Sequence, residues 1–251
     1  MEKNRHFTLV VIGDNPEELI KPFDRNLEVE PYTLYEFKRA KEYHDSYVAS
    51  YQALYDLTPD EDRKKEVIKE TLDHLKAIDD SDFYLELTEG EELDPETGDL
   101  IATENPNGKY DYARLGKDLC VPLIDKEGNE VFTALKKDVD WEKVHMEPEK
   151  VKVYQRTWEM VVEGSEPKDE NEKIVYEHMK NRTVYFDFWK TKENYVKGSC
   201  AFWGYAVVDQ NGWVELEDDM SQVEWISNFY DHYIKDLPED TRISIYECFR
   251  K

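Results

Sequence analysis

The chain has 251 residues, enough for one large domain or two modest ones with a real core. Its 33 Lys and Arg stand against 58 Asp and Glu, a net charge of −25, while 39% hydrophobic and 13% aromatic residues exclude a disordered chain. So acidic a skin repels nucleic-acid backbones and anionic membranes and attracts basic protein surfaces; the other reading of the same charge is surface chemistry that keeps a protein soluble.

The first element is "HFTLVVI", residues 6–12, a β-rich run with little alternation that predicts a buried strand ending at the turn signal "GDNPEE". It is too short to span a membrane and has no signal-peptide cleavage pattern, so the expected location is the cytoplasm. Next, "TLYEFKRAKEYHDSYVASYQAL" opens with Thr33 and Glu36 at capping-box spacing and predicts a helix over 33–54. A second such box, "TPDE", with Pro59 at the first helical position, predicts a helix over 58–78. The apolar spacing in 149–164 and 171–180 predicts two more helices, the first stopped by Gly164. A third box, Ser221 with Glu224, predicts a helix over 221–237.

Strands are expected in "DFYLEL", "TVYFDFWK", "SCAFWGYAVV", "GWVEL" and "TRISIYECF", with a tight hairpin whose positive φ angles come from Asn211 and Gly212. Strands and helices mix without regular βαβ alternation. The expected class is therefore α+β with a mostly antiparallel sheet in one domain, 1–251. First and last strands sharing that sheet would resemble a ferredoxin-like core, with 33–180 as an inserted helical and hairpin subdomain.

The acidic residues concentrate in 58–104, which holds 17 acids and five bases. Acids on a helix and a hairpin there can imitate rows of phosphates, or simply solvate a face. Asp60, Glu61, Asp62, Glu66, Glu70, Glu91 and Glu92 are the candidate partner-binding residues, for a protein with a basic surface and not for nucleic acid directly. "DPETGD" superficially resembles a calcium loop. Its proline second and glycine fifth break the ligand alternation, so residues 94–99 are expected to be an exposed turn without metal.

A ligand site is the other candidate. In "NPNGKYDYARLGK", Asn107 and Gly108 make a turn and Gly116 permits a close backbone approach. Tyr110 and Tyr112 offer stacking faces, Asp111 and Arg114 polar groups, and His6 with Asp14 could join them through folding; core-covering tyrosines are the plainer reading. No phosphate-binding loop, dinucleotide fingerprint, zinc-protease pair or nucleophile elbow is present, and no cofactor is implied. The six histidines show no i,i+4 pair. Cys120, Cys200 and Cys248 lie far apart and read as reduced, packed thiols.

Three stretches, "HFTLVVIGDNPEEL", "GKYDYARLGK" and "LPEDTRISIYECF", together resemble a family of uncharacterised tailed-bacteriophage accessory proteins. His6, Phe7, Thr8, Gly13, Asp14, Gly108, Lys109, Asp111, Leu115, Gly116, Leu237, Pro238, Asp240 and Thr241 match its motifs. Tyr110 and Tyr112 replace tryptophans, and Lys117, Asp118 and Leu119 replace Gly-Arg-Trp. The resemblance implies an accessory protein acting in the bacterial host cytoplasm. Two functions follow as expectations. One is an acidic protein that inhibits a host defence or nucleic-acid-handling protein by covering its basic surface. The other is a small-molecule or nucleotide binder, or an enzyme, built around His6, Asp14 and residues 110–116.

Overall fold

The computed structural model describes residues 5–59, 62–89, 91, 93–116, 120–216 and 220–250. In chain order the strands and helices are β1 (Arg5–Ile12), α1 (Pro16–Ile20), β2 (Tyr32–Tyr35), α2 (Ala40–Leu57), α3 (Lys64–Ala77), α4 (Asp80–Leu87), β3 (Leu100–Ala102) and β4 (Tyr112–Leu115). They continue with β5 (Leu123–Ile124), β6 (Glu130–Val131), β7 (Thr133–Leu135), α5 (Trp141–Val144), α6 (Pro148–Val161), α7 (Glu170–Met179), α8 (Thr183–Trp189) and α9 (Lys192–Cys200). The last are β8 (Ala206–Asp209), β9 (Gly212–Glu215), α10 (Gln222–Tyr233) and β10 (Arg242–Arg250). The class is α+β. The chain divides into two compact units, Met1–Leu27 with Asn105–Lys251, and Glu28–Glu104. The inserted segment is thus Glu28–Glu104 and not 33–180, because 105–180 packs with the chain ends.

The larger unit is built on a sheet of order β4-β10-β1-β8-β9, with β7 pairing further along β10. β1 and β10 pair antiparallel along their length, from Arg5↔Arg250 to Ile12↔Ile243, as expected for the two terminal strands. Leu9, Val10 and Val11 are fully buried because both faces of β1 are covered, which is why the run shows no alternation. Val10, Ile12, Ile243 and Ile245 meet an aromatic layer from α6, α8, α9 and α10. Leu9, Val11, Tyr246 and Cys248 meet Ile20, Phe23, Tyr110 and Trp213 on the other face. β8 pairs with β1 in parallel, leaving its hairpin partner β9 outermost. A ferredoxin-like sheet would instead set the second hairpin strand antiparallel against the first strand. In the β8–β9 turn only Gly212 has positive φ, 119°. Asn211 is held by its N–H donating to Asp209 Oδ1 at 2.7 Å.

The smaller unit pairs β2 with β3 and packs α2, α3 and α4 around His44, Leu72, Leu75, Phe83 and Tyr84. Two expected helix starts move. Thr33 pairs with Ile101 in the sheet, so α2 begins later, at Ala40. Thr58 closes α2 instead of opening α3: its N–H and hydroxyl both donate to Leu54 O, at 3.1 and 2.7 Å. The Ser221–Glu224 capping box forms as expected.

Two expected strands are helices. In "DFYLEL" the Asp79 carboxylate accepts from the N–H groups of Ser81 and Asp82 and starts α4; adjacent Phe83 and Tyr84 are buried while Leu85 is 54% exposed. In "TVYFDFWK", Phe186 and Trp189 are buried one helical turn apart while Val184 is 81% exposed. Short aromatic runs satisfy both periods; the Asp79 cap decides the first, while in the second the buried pair Phe186 and Trp189 follows the helical period. In "SCAFWGYAVV" only the end is strand; Ser199 and Cys200 finish α9.

Candidate functional site

The carboxylates of Glu28–Glu104 number 23 against eight Lys and Arg. Their distribution is uneven. α3 carries Lys64, Lys65, Lys69 and Lys76 beside Glu66, Glu70 and Asp73, so it is close to neutral. Residues 77–104 hold 11 acids and no Lys, Arg or His. The segment 58–104 joins the two, so the acids of α3 expected to bind a partner sit beside lysines that offset them.

Several acids of this run have structural work. Asp79 caps α4; Asp80 accepts from His44 Nδ1 at 2.8 Å; Glu86 pairs with exposed His74 at 2.8 Å. Asp94 Oδ1 accepts from Glu96 N, Thr97 N and Thr97 Oγ1 at 2.8–3.0 Å, and these donors hold the carboxyl below the usual carboxylate range. Asp99 Oδ1 accepts from Phe37 N at 2.9 Å. The exposed turn expected at 94–99 is present, with Gly98 at φ 74° and Asp94 N–H bonded to Asp99 O at 2.8 Å. Asp82, Glu89, Glu91, Glu96 and Glu104 are exposed and have no side-chain hydrogen bond or ion pair among the described residues. Of the expected partner residues, Asp62, Glu66, Glu70 and Glu91 are exposed; Asp60, Glu61 and Glu92 lie outside the described residues.

The expected ligand constellation is not assembled. Tyr110 is buried, donates to Ile20 O at 3.1 Å and has its phenol pushed up by burial, so it offers no stacking face. Asp14 stands beyond the end of β1 opposite His6, exposed, 3.5 Å from Arg242 Nε. Asp111 accepts from Asn26 through its carbonyl and lies 3.7 Å from Arg25. Tyr112 is exposed on β4. Gly116 does make a close approach, but to Phe132 and Ile245 O of its own unit.

His6 and Arg114 do meet, on a residue that sequence reasoning passed over. Alternation along β10 puts Glu247 on the face of Ile243 and Ile245, where it is 4% exposed. Arg114 Nε donates to its Oε2 at 2.7 Å, with the NH2 group on the same oxygen, and His6 Nδ1 is 3.2 Å from Oε1. The guanidinium holds this buried carboxyl below its usual range. A lone acid inside "RISIYECF" is the sequence signal for such a pair.

All three cysteines are buried and none forms a disulfide; burial pushes the Cys200 thiol up to about 11 and Cys248 higher, which keeps both protonated. Among the described residues no three His, Cys, Asp or Glu side chains group to hold a metal, and no helix is long and apolar enough to cross a membrane. No family model, no curated protein and no solved structure matches the chain.

Proposed function

We propose that the protein is a phage-encoded acidic interaction protein that inhibits a host defence or nucleic-acid-handling protein by covering its basic surface. The observation that carries this reading is the base-free run 77–104, with five exposed carboxylates that pair with no cation among the described residues. Uncompensated acids raise a local negative potential, which speeds encounter with a basic groove. Presented from α4, the loop and turn that follow it and the residues after β3, they stand in for the phosphates such a groove normally holds. The resemblance to tailed-phage accessory proteins supplies the biological setting of the proposal.

The test replaces Asp82→Asn, Glu89→Gln, Glu91→Gln, Glu96→Gln and Glu104→Gln together. None of these side chains makes a hydrogen bond or ion pair among the described residues. Wild-type protein is expected to capture a basic partner from host lysate. The variant should associate with it ~10–100-fold more slowly at low salt, with a flatter salt dependence. Glu66→Gln with Glu70→Gln should do less, because the lysines of α3 already offset those charges. Equal on-rates for wild type and the fivefold variant would reduce the acidic face to a solvated surface.

A further inference from the structure

We propose that a cavity beside the His6 end of β1 binds a planar heteroaromatic ligand of nucleobase size that carries no negative charge. The cavity has a volume of about 450 Å³, and its walls include His6, Thr8, Val121, Phe202, Trp203 and Tyr205. That volume lies in the range of small-molecule sites. It accepts one or two fused rings and is too small for a helix.

The wall at 201–205 is neither helix nor strand, yet its backbone is pinned on every side. Met146 N–H donates to Cys200 O at 2.8 Å, and Phe202 N–H donates to His145 Nδ1 at 3.2 Å. Trp225 Nε1–H donates to Gly204 O at 2.9 Å, and Tyr205 N–H donates to Thr8 O at 2.8 Å. Gly204 is needed for this course, since a Cβ there would stand 2.7 Å from Val10 Cγ2. The fixed backbone holds Trp203 and Tyr205 each 40% exposed instead of letting them collapse into the core. Tyr205 is braced by Phe7, with ring centroids 5.0 Å apart. Two rigid, half-exposed aromatic rings lining a cavity are a stacking platform for a flat ligand.

His6 supplies the polar contact. Its Nδ1 faces the ionised Glu247, which only accepts, so Nδ1 carries the hydrogen. Its Nε2 atom has no protein partner among the described residues and is open to a hydrogen bond with a ring nitrogen or amino group of the ligand. An anion is disfavoured by the net charge of −25.

Isothermal titration with adenine and with indole tests this assignment. Both are expected to bind saturably at one site, with adenosine monophosphate at least ~10-fold weaker than adenine because of its phosphate. Trp203→Ala and His6→Phe should each weaken adenine at least ~10-fold with the circular dichroism spectrum unchanged. Tyr112→Ser, on β4 outside the cavity, should leave binding as it was. The proposal is overturned if neither adenine nor indole binds, if both cavity variants bind like wild type, or if the phosphate strengthens binding. It is also overturned if Trp203→Ala changes only self-association, which would make a second copy the occupant. The cavity variants should leave capture of a basic protein intact, so this proposal stands or falls separately from the acidic face.

Discussion

Residues 141–200 and residues 77–104 handle charge in opposite ways. The first stretch carries 12 acids and 11 bases, and most of them meet. Arg156 bridges Glu159 and Glu172, Lys192 bridges Glu159 and Glu163, and Lys150, Lys152, Lys173, Lys180 and Lys197 each pair within a helical turn. Exposed pairs of this kind add little stability; what they do is cancel the field. The second stretch has 11 acids and no base, and five of its carboxylates are committed to caps, turns and histidines. Total charge therefore says less than charge left over after pairing. A uniformly acidic skin would leave excess everywhere, whereas here 77–104 supplies 11 of the 25 excess negative charges and 141–200 only one.

The packing differs in the same sense, and this gives the largest expected effect. Gly198 in α9 lies so close to Trp189 that a Cβ would fall 1.9 Å from the indole ring. Gly198→Ala should cost about 1–3 kcal/mol in urea unfolding through overpacking. In the smaller unit, Leu57 is 83% exposed, and Leu57→Ser should change stability by less than about 0.5 kcal/mol. Similar costs at both sites would end the contrast between a closed aromatic layer and an open surface.

How much of this was legible depended on whether the deciding partner was local. The Ser221–Glu224 box needs nothing beyond its own four residues, and the helix it announces is there. Thr33 and Glu36 have the same spacing, but Thr33 found a strand partner, Ile101, far along the chain. Phe83, Leu85 and Leu87 alternate like a strand, and only the Asp79 cap reveals the helix. The pair His6–Arg114 depends on the register of three strands, which no motif encodes. In the cavity wall "AFWGY" is apolar and has the pattern of a strand, while the pins that keep it out of the sheet come from residues 8, 145 and 225. The base-free run, by contrast, is fully present in the sequence, next to the lysines of α3 that offset their own acids.

Two histidines, one in each unit, sharpen the comparison through pH. Both ring nitrogens of buried His44 face acceptors, Asp80 Oδ1 at 2.8 Å and Leu75 O at 2.6 Å, so the ring binds best as a cation. The hydrogen bond to Asp80 raises its pKa against the effect of burial, with Asp45 adding to it. Its contribution is full below the ordinary histidine value of about 6.5 and is lost as pH rises through the higher folded value. His145 is the reverse. Its Nδ1 accepts from Phe202 N–H, its ring stacks on Tyr230 at 3.8 Å, and burial lowers its pKa, with Asp231 and Lys235 nearby pulling in opposite directions. The unfolded chain then binds the proton more readily, so stability falls as pH drops below about 6.5 towards the folded value. Hydrogen exchange, corrected for intrinsic rates, should show α2 loosening as pH rises and residues 201–205 loosening as pH falls. Changes of the same sign in both would break the assignment.

Salt gives a smaller effect and acts on the charges themselves. Screening relieves repulsion where acids are unpaired and weakens attraction where they are paired. Between low and ~0.5 M salt, amide protection in α4 should rise about two- to fivefold, while α6 and α7 hold steady or decline slightly. Parallel gains in both regions would mean that the pairing seen along α6 and α7 does not neutralise them in solution.

The smallest expected effect is none, and it concerns the most acidic-looking loop. Residues 94–99 present three carboxylates within six positions, yet two are already occupied. Asp94 Oδ1 takes three donors from the turn it closes, and Asp99 Oδ1 takes the Phe37 N–H. Calcium needs six to eight oxygens, and beside Glu96 the loop leaves only one carboxylate oxygen each of Asp94 and Asp99 outside its own hydrogen bonds. Glu96 alone remains uncommitted among the three. Millimolar calcium should therefore shift Tm by less than about 1 °C, and Glu96→Gln should behave like wild type. A saturable rise in Tm, lost in both Asp94→Ala and Glu96→Gln, would show that the loop gives up its internal hydrogen bonds for a cation. The excess charge of 77–104 would then belong to a metal site instead of an open face.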